Sequence, residues 1–210
     1  MRLAVGFAMV IFLAQAGARA EPIDGDEARR MLFQTRGFAV QMVEDSGLDG
    51  THLDYIRALV KTREFKSAAH YYGAIALSPA YFDRLATEGA AAALSGLFQV
   101  SDGLHSPDAA SAVALDACNK ARRQGEAKCE LAARILPKRW KPRPVSLSSD
   151  ATAAFTQYRR ADAPKAFAVS RLSKAFSVVS GDGASETALD RCNRQAAAAG
   201  RPGCEIVIED

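Results

Sequence analysis

The side chains best able to do chemistry in this 210-residue sequence are four cysteines and three histidines. Cys118 and Cys129 stand 11 positions apart, and Cys192 and Cys204 stand 12 apart. Such spacing is too long for a redox CxxC. It also lacks the short knuckle and nearby histidine of a zinc site. His52, His70 and His105 share no metal-ligand spacing, so neither a metal nor a cofactor is expected. No GxSxG, HExxH, Walker or dinucleotide fingerprint is present. Gly181-Asp182-Gly183 reads as a turn before a helix, with Asp182 placed to cap it. His70 could belong to a serine–histidine–aspartate relay, but such relays are spatial and the sequence does not select the partners.

A second group of candidates surrounds one strand. His70, Tyr71 and Tyr72 precede it, and Tyr81, Phe82, Asp83 and Arg84 follow it. Aromatic rings beside charges suit a recognition surface. His70, Tyr72, Tyr81, Asp83 and Arg84 are therefore the candidate binding residues. The plainer role for the same rings is to cover the edge of a hairpin.

The elements that must carry these residues are revealed by an internal repeat. The block from Ala110 to Asn119 (ASAVALDACN) matches Ala184 to Asn193 (ASETALDRCN) at seven of ten positions. Cys129-Glu130 then matches Cys204-Glu205 downstream. Upstream, Ala74-Ile75-Ala76-Leu77-Ser78 matches Ala166-Phe167-Ala168-Val169-Ser170, each small, large, small, large, Ser. Val100-Ser101 is set against Val179-Ser180. The interval from Ser78 to Ala110 is 32 positions, and from Ser170 to Ala184 it is 14, so the first copy holds an insertion. His70, Tyr72, Tyr81, Asp83 and Arg84 sit in or beside that unmatched stretch.

Each copy reads as strand, helix, strand, strand, helix, strand. Residues 37–43, then 51–61, open the first copy; 144–147, then 150–158, open the second. The shared Cys–Glu segments alternate with period two, as half-buried strands do. The shared Ala–Cys blocks place apolar residues at helical spacing. Ser106-Pro107-Asp108 supplies a helix start, and Gly125 and Gly200 are helix stops. The expected fold class is α+β, with two tandem ferredoxin-like βαββαβ units. Each would have an antiparallel sheet covered on one face by helices and clipped by one disulfide. The expected organisation is a signal peptide at 1–20, a first unit at 21–137, a linker at 138–143 and a second unit at 144–210. An extra helix over 24–33 is expected to pack on the first unit.

If each copy folds by itself, the pairing is Cys118–Cys129 and Cys192–Cys204. The repeated acids have a structural role available: Asp116 stands four before Lys120 and Asp190 four before Arg194, which supports an exposed helix. Asn119 and Asn193 can bond nearby backbone.

Met1 and Arg2, the apolar run from Leu3 to Ala14, and Ala18-Arg19-Ala20 have the layout of a cleaved secretory leader. The apolar run is shorter than the roughly 20 residues of a spanning helix, and no later stretch is a transmembrane candidate. Loss of Arg2 and Arg19 lowers Lys plus Arg from 27 to 25, against 24 Asp plus Glu, for a net of +1. A near-neutral exported chain is a poor partner for nucleic acid. The basic run Lys138-Arg139-Trp140-Lys141-Pro142-Arg143 is read as a solvated linker.

The Ala-Leu-x-x-Cys-Asn helix, the Cys-Glu strand and the preceding hairpin, present twice behind a leader, resemble a family of small exported bacterial proteins. Their duplicated module is a domain of unknown function. Relatives often carry the name 5-aminolevulinate synthase (also 5-aminolevulic acid synthase). Where some members have Trp-Gly in the second hairpin strand, this sequence has Lys174-Ala175-Phe176-Ser177. The residues do not support the synthase label: Lys165 and Lys174 flank hairpin strands, and no cofactor site is readable around them. The expectation is an exported, periplasmic or secreted, non-enzymatic binding protein. Its partner would be a small molecule or a cell-envelope protein. The alternative is a small hydrolase or transferase with its site between the units or under the insertion.

Overall fold

The computed structural model describes residues 21–210; the expected leader at 1–20 lies outside them. The chain runs α1 (Gly25–Met31), β1 (Phe38–Met42), α2 (Gly50–Leu59), α3 (Arg63–Ala68), β2 (Gly73–Leu77), α4 (Tyr81–Glu88), α5 (Ala90–Ala93) and β3 (Phe98–Ser101). It continues through α6 (Pro107–Ala121), β4 (Glu130–Pro137), α7 (Ser149–Arg160), β5 (Lys165–Ser170), β6 (Phe176–Ser180), α8 (Ala184–Ala198) and β7 (Cys204–Glu209). The fold is α+β with two antiparallel sheets, ordered β1-β4-β2-β3 and β6-β5-β7; the second has three strands, so it is not the four-stranded βαββαβ unit expected.

The small–large alternation of the central strands explains the layering. Ala74 and Ala76 of β2 pack with Ala110, Ala114 and Cys118 of α6, so small residues meet small residues and the helix comes close. Ile75 and Leu77 point to the other face, where Leu53 and Ile56 of α2 and Tyr81 of α4 fill a thicker layer. The second copy repeats this. Ala166 and Ala168 meet Ala184, Ala188 and Cys192 of α8, while Phe167 and Val169 meet Phe155 and Tyr158 of α7. Both faces of each central strand are buried, which corrects the expected one-sided cover. Alternation by size, rather than by polarity, is the signature of a strand with helices on both sides.

The register carries the duplication further than the letters do. Ile75 pairs with Ala133 and Ala76 with Leu131, so Ala132 is an extra residue in β4. Phe167 pairs with Ile208 and Ala168 with Ile206, so Val207 is the extra residue in β7. Counted from Cys129 and Cys204, the two bulges fall at the same place. The hairpin register also corrects one detail of the sequence alignment. Ile75 faces Val100 and Phe167 faces Val178, so Phe98-x-Val100 corresponds to Phe176-x-Val178, one position from the expected match. Ser78 N bonds Leu97 O at 2.8 Å, and Ser170 N bonds Ala175 O at 2.9 Å. The first hairpin thus has eighteen residues between those points, including α4 and α5, where the second has four.

Both disulfides form as the repeat required: Cys118–Cys129 and Cys192–Cys204. Asn119 Oδ1 accepts the Cys129 amide at 3.0 Å, and Asn193 Oδ1 accepts the Cys204 amide at 2.9 Å. The repeated Cys-Asn pair therefore fixes where the last strand begins, by one covalent and one hydrogen bond. Asp116 meets Lys120 at 2.8 Å, and Asp190 pairs with Arg194.

Two elements depart from expectation at the rim. Residues 144–147 do not join a sheet. Val145 and Leu147 are buried with period two, yet Pro144 has no amide to donate, and the Ser146 hydroxyl donates to the His105 carbonyl. The alternation reported burial without a ladder. The N-terminal segment with α1 packs on the second unit, not the first. Ile23 bridges β7 in parallel fashion, and Ala28 is buried among Phe155, Tyr158 and Ile208. In the first sheet β1 covers the outer edge of β4; the equivalent edge of β7 has no such strand, and residue 23 takes the place. Helix α1 starts with Asp24 Oδ1 accepting the Glu27 amide.

Candidate functional site

The two units meet through the loop between β3 and α6 and the turn between β5 and β6. His105 is 4 % exposed and lies at this junction. Its Nδ1 accepts the Ser148 amide at 3.3 Å, which leaves Nε2 protonated to donate to the Ala175 carbonyl at 3.1 Å. Burial depresses its pKa to about 4, against the pull of the Ala175 carbonyl, so the ring is neutral. Two cross-unit ion pairs flank the junction: Lys174 Nζ to Asp102 at 2.6 Å and Arg201 to Asp116 at 2.8 Å.

Between these pairs lies a cleft of about 620 Å³. The first unit supplies Val100, Leu104 and Val113; the second supplies Leu172 and Ala175. Val100 and Leu172 are 43 % and 42 % exposed. The backbone of β3 runs along one wall, and β3 is an edge strand with only β2 beside it. Gln99, Gln195, Lys174 and Arg201 supply polar groups at the rim. A concave, mostly apolar wall with a few polar groups is the usual form of a small-molecule site.

The five sequence-selected binding residues are not brought together. Tyr72 is fully buried against the α6 face of the first sheet. Tyr81 is buried on the opposite face, with its ring centroid 5.2 Å from that of Phe82. Arg84 is buried in a bidentate pair with Glu126, at 2.6 and 2.7 Å from Nη2. Asp83 is exposed on α4. His70 lies at the junction, where its amide meets Asp102 at 3.3 Å. The rings of the insertion pack, as the plainer reading held, and Tyr72 is the member of the five that lines a cavity described below.

His70 does meet a serine and an acid. Its Nδ1 is 3.3 Å from Ser149 Oγ and 4.0 Å from Asp150 Oδ1. A nucleophile relay needs the serine on one ring nitrogen and the acid on the other. Here one nitrogen faces both, and Ser149 Oγ itself bonds Asp150 at 3.4 Å. The group reads as the first turn of α7, with Ser148 Oγ accepting the Ala151 amide. Lys174 is held by Asp102, and Lys165 lies 3.5 Å from Asp210 with its ammonium 5.0 Å from the Tyr158 ring. Among the described residues no group of three His, Cys, Asp or Glu side chains is placed to hold a metal. No described helix is long and apolar enough to cross a membrane.

Sequence reasoning missed the cleft residues Val100, Val113, Leu172 and Arg201. Each is ordinary in its own element, and only the docking of one unit on the other makes them neighbours. No family model, curated protein or solved structure matches the chain.

Proposed function

We propose that this protein is an exported binding protein that takes a small, largely apolar ligand into the cleft between its two repeats. The observation that carries this reading is the exposure of Val100, from the first unit, and Leu172, from the second, in the lining of that cleft. Burying such side chains releases about 25 cal/mol per Å² of apolar surface, so an apolar guest gains what the free protein leaves undone. Two disulfides suit an oxidising compartment, the periplasm or the medium. The resemblance to exported proteins with a duplicated cysteine module agrees with that placement. The hydrolase or transferase reading lacks comparable support, because His70 Nδ1 faces both of its neighbours.

Titration with the uncharged fluorophore N-phenyl-1-naphthylamine tests the cleft. One saturable site is expected, weakened at least tenfold in Val100→Lys and Leu172→Lys. Both positions are exposed, so the fold should survive either change. Equal binding by the wild type and both variants would remove the proposal.

A further inference from the structure

A smaller cavity, about 230 Å³, lies in the first repeat where α6 begins. Its walls hold Tyr72, Ser106, Arg134, Trp140, Arg143 and Ser146. Most of its polar groups are donors, although Ser146 has already given its hydroxyl proton to the His105 carbonyl. Arg134 projects from β4 on the α6 face, in register with Ala74. It has no ion pair among the described residues, and its buried Nε has no hydrogen-bond partner. Arg143 stacks on Phe33 with its guanidinium carbon 3.9 Å from the ring centroid and bonds the Met31 carbonyl. It too lacks an ion pair among the described residues. The Tyr72 hydroxyl is buried without a partner, on a side chain that is 0 % exposed. Burial pushes that phenol well above its ordinary pKa despite nearby Arg143, Trp140 and Ser146, so it remains a donor. The Trp140 indole can only donate. Helix α6, fifteen residues long, starts at this wall with Ser106 as its N-cap, and adds the positive end of its dipole.

Buried donors without acceptors cost free energy that a matching acceptor returns. Two guanidiniums, a phenol and a helix start converge on one small space, opposed by the single lining carboxylate of Asp108. We infer that this cavity binds a small oxyanion: a carboxylate, phosphate or sulfate group, free or at the head of a larger ligand. The repeat supplies an internal contrast. Counted from the second cysteine of each clasp, Glu209 stands where Arg134 does; counted back from their strand partners Ala74 and Ala166, Pro164 stands where Tyr72 does. The second copy thus lacks the donors at both positions and holds no equivalent of the site.

The only tryptophan of the chain lines the cavity, so its fluorescence reports on this site. Sodium sulfate, phosphate and acetate are titrated in turn, with sodium chloride holding the ionic strength constant. Melting curves with each salt give a second readout. A saturable response to at least one oxyanion, absent with chloride, is expected. Arg134→Gln should weaken it at least tenfold and Tyr72→Phe several-fold, while Arg134→Lys retains part. Vesicles of phosphatidylglycerol form a separate arm: a response to them alone assigns the oxyanion to a lipid head group, and a response to the free salts assigns it to a soluble ligand. No response in either arm, or identical titrations of folded wild type and Arg134→Gln, overturns the inference.

Discussion

The first and second repeats share a frame and differ at its rim. Both have a central strand of alternating small and large residues, a bulge at the same count from the clasp, and a helix tied to the last strand by a disulfide and an Asn side chain. Each of these positions is fixed by ladder bonds or by contact between helix and sheet. The first repeat alone has the long hairpin excursion, the Arg84–Glu126 pair, Arg134 and the His105 loop. From Ser101 to Ala110 it spends nine positions where Val179 to Ala184 takes five, and His105 lies in that extra length. The copied interior is a closed mechanical unit, and the edges where the copies differ or meet line both cavities.

That contrast can be broken experimentally, beginning with the shared clasp. Replacing both cysteines of either pair by serine should cost about 3 kcal/mol, the chain-entropy value for loops of this length. Urea unfolding should give similar losses for the two pairs; a loss confined to one would deny that the copies are mechanically equivalent. Arg84→Ala probes a feature of the first repeat only. It should cost about 2 kcal/mol, the low end for a buried pair, because Glu126 keeps the Arg123 amide at 2.7 Å. A neutral result would mean that the excursion is stabilised by its rings alone. Asn119→Ala and Asn193→Ala should each cost about 1 kcal/mol, since each loses a hydrogen bond to the strand start. Unequal losses would show that one clasp depends on its asparagine more than the other.

The finest test is by pH, because the junction between the units and the end of β7 hold groups that titrate in different windows. The folded pKa of His105 is depressed to about 4, from an ordinary 6.5. The unfolded chain therefore binds a proton that the folded chain refuses. This contribution to stability is complete above about pH 6.5 and is lost as pH falls toward 4. Asp210 acts lower. Burial alone would raise its pKa, but the Gly25 amide, the Tyr158 hydroxyl and Lys165 together hold it below the ordinary carboxylate value. Its contribution is present above that value and fades as the solution becomes more acidic. Melting temperatures across both windows should show the upper step vanish in His105→Asn and the lower step shrink in Asp210→Asn. A single step in all three proteins would contradict this assignment.

Much of the frame was legible before any coordinates. The repeated Cys-Asn and Cys-Glu blocks chose the disulfide pairs, and Ser106-Pro107-Asp108 marked the start of α6, where Ser106 Oγ accepts the Ala109 amide at 3.1 Å. Gly200, with φ of 68°, closes α8 as its residue type suggested. Other local signals misled. Gly183, rather than Asp182, is the N-cap of α8, and Asp182 makes no side-chain cap. The basic run at 138–143 is only partly solvated, because Trp140 packs on the first core and Arg143 on Phe33. An aromatic ring or a guanidinium plane within a charged run still has apolar surface to bury.

Local sequence determined the strands and helices common to the two copies, the start of α6 and the clasps, because those depend on periodicity, capping and loop closure over a few residues. Tertiary structure alone decided the strand order, the attachment of α1 to the far sheet, and both cavities. Val100 and Leu172 come to line one cleft, and Arg134, Arg143 and Tyr72 one cavity, only when segments dozens of residues apart dock. Docking is set by shape and desolvation at surfaces that neither repeat encodes by itself.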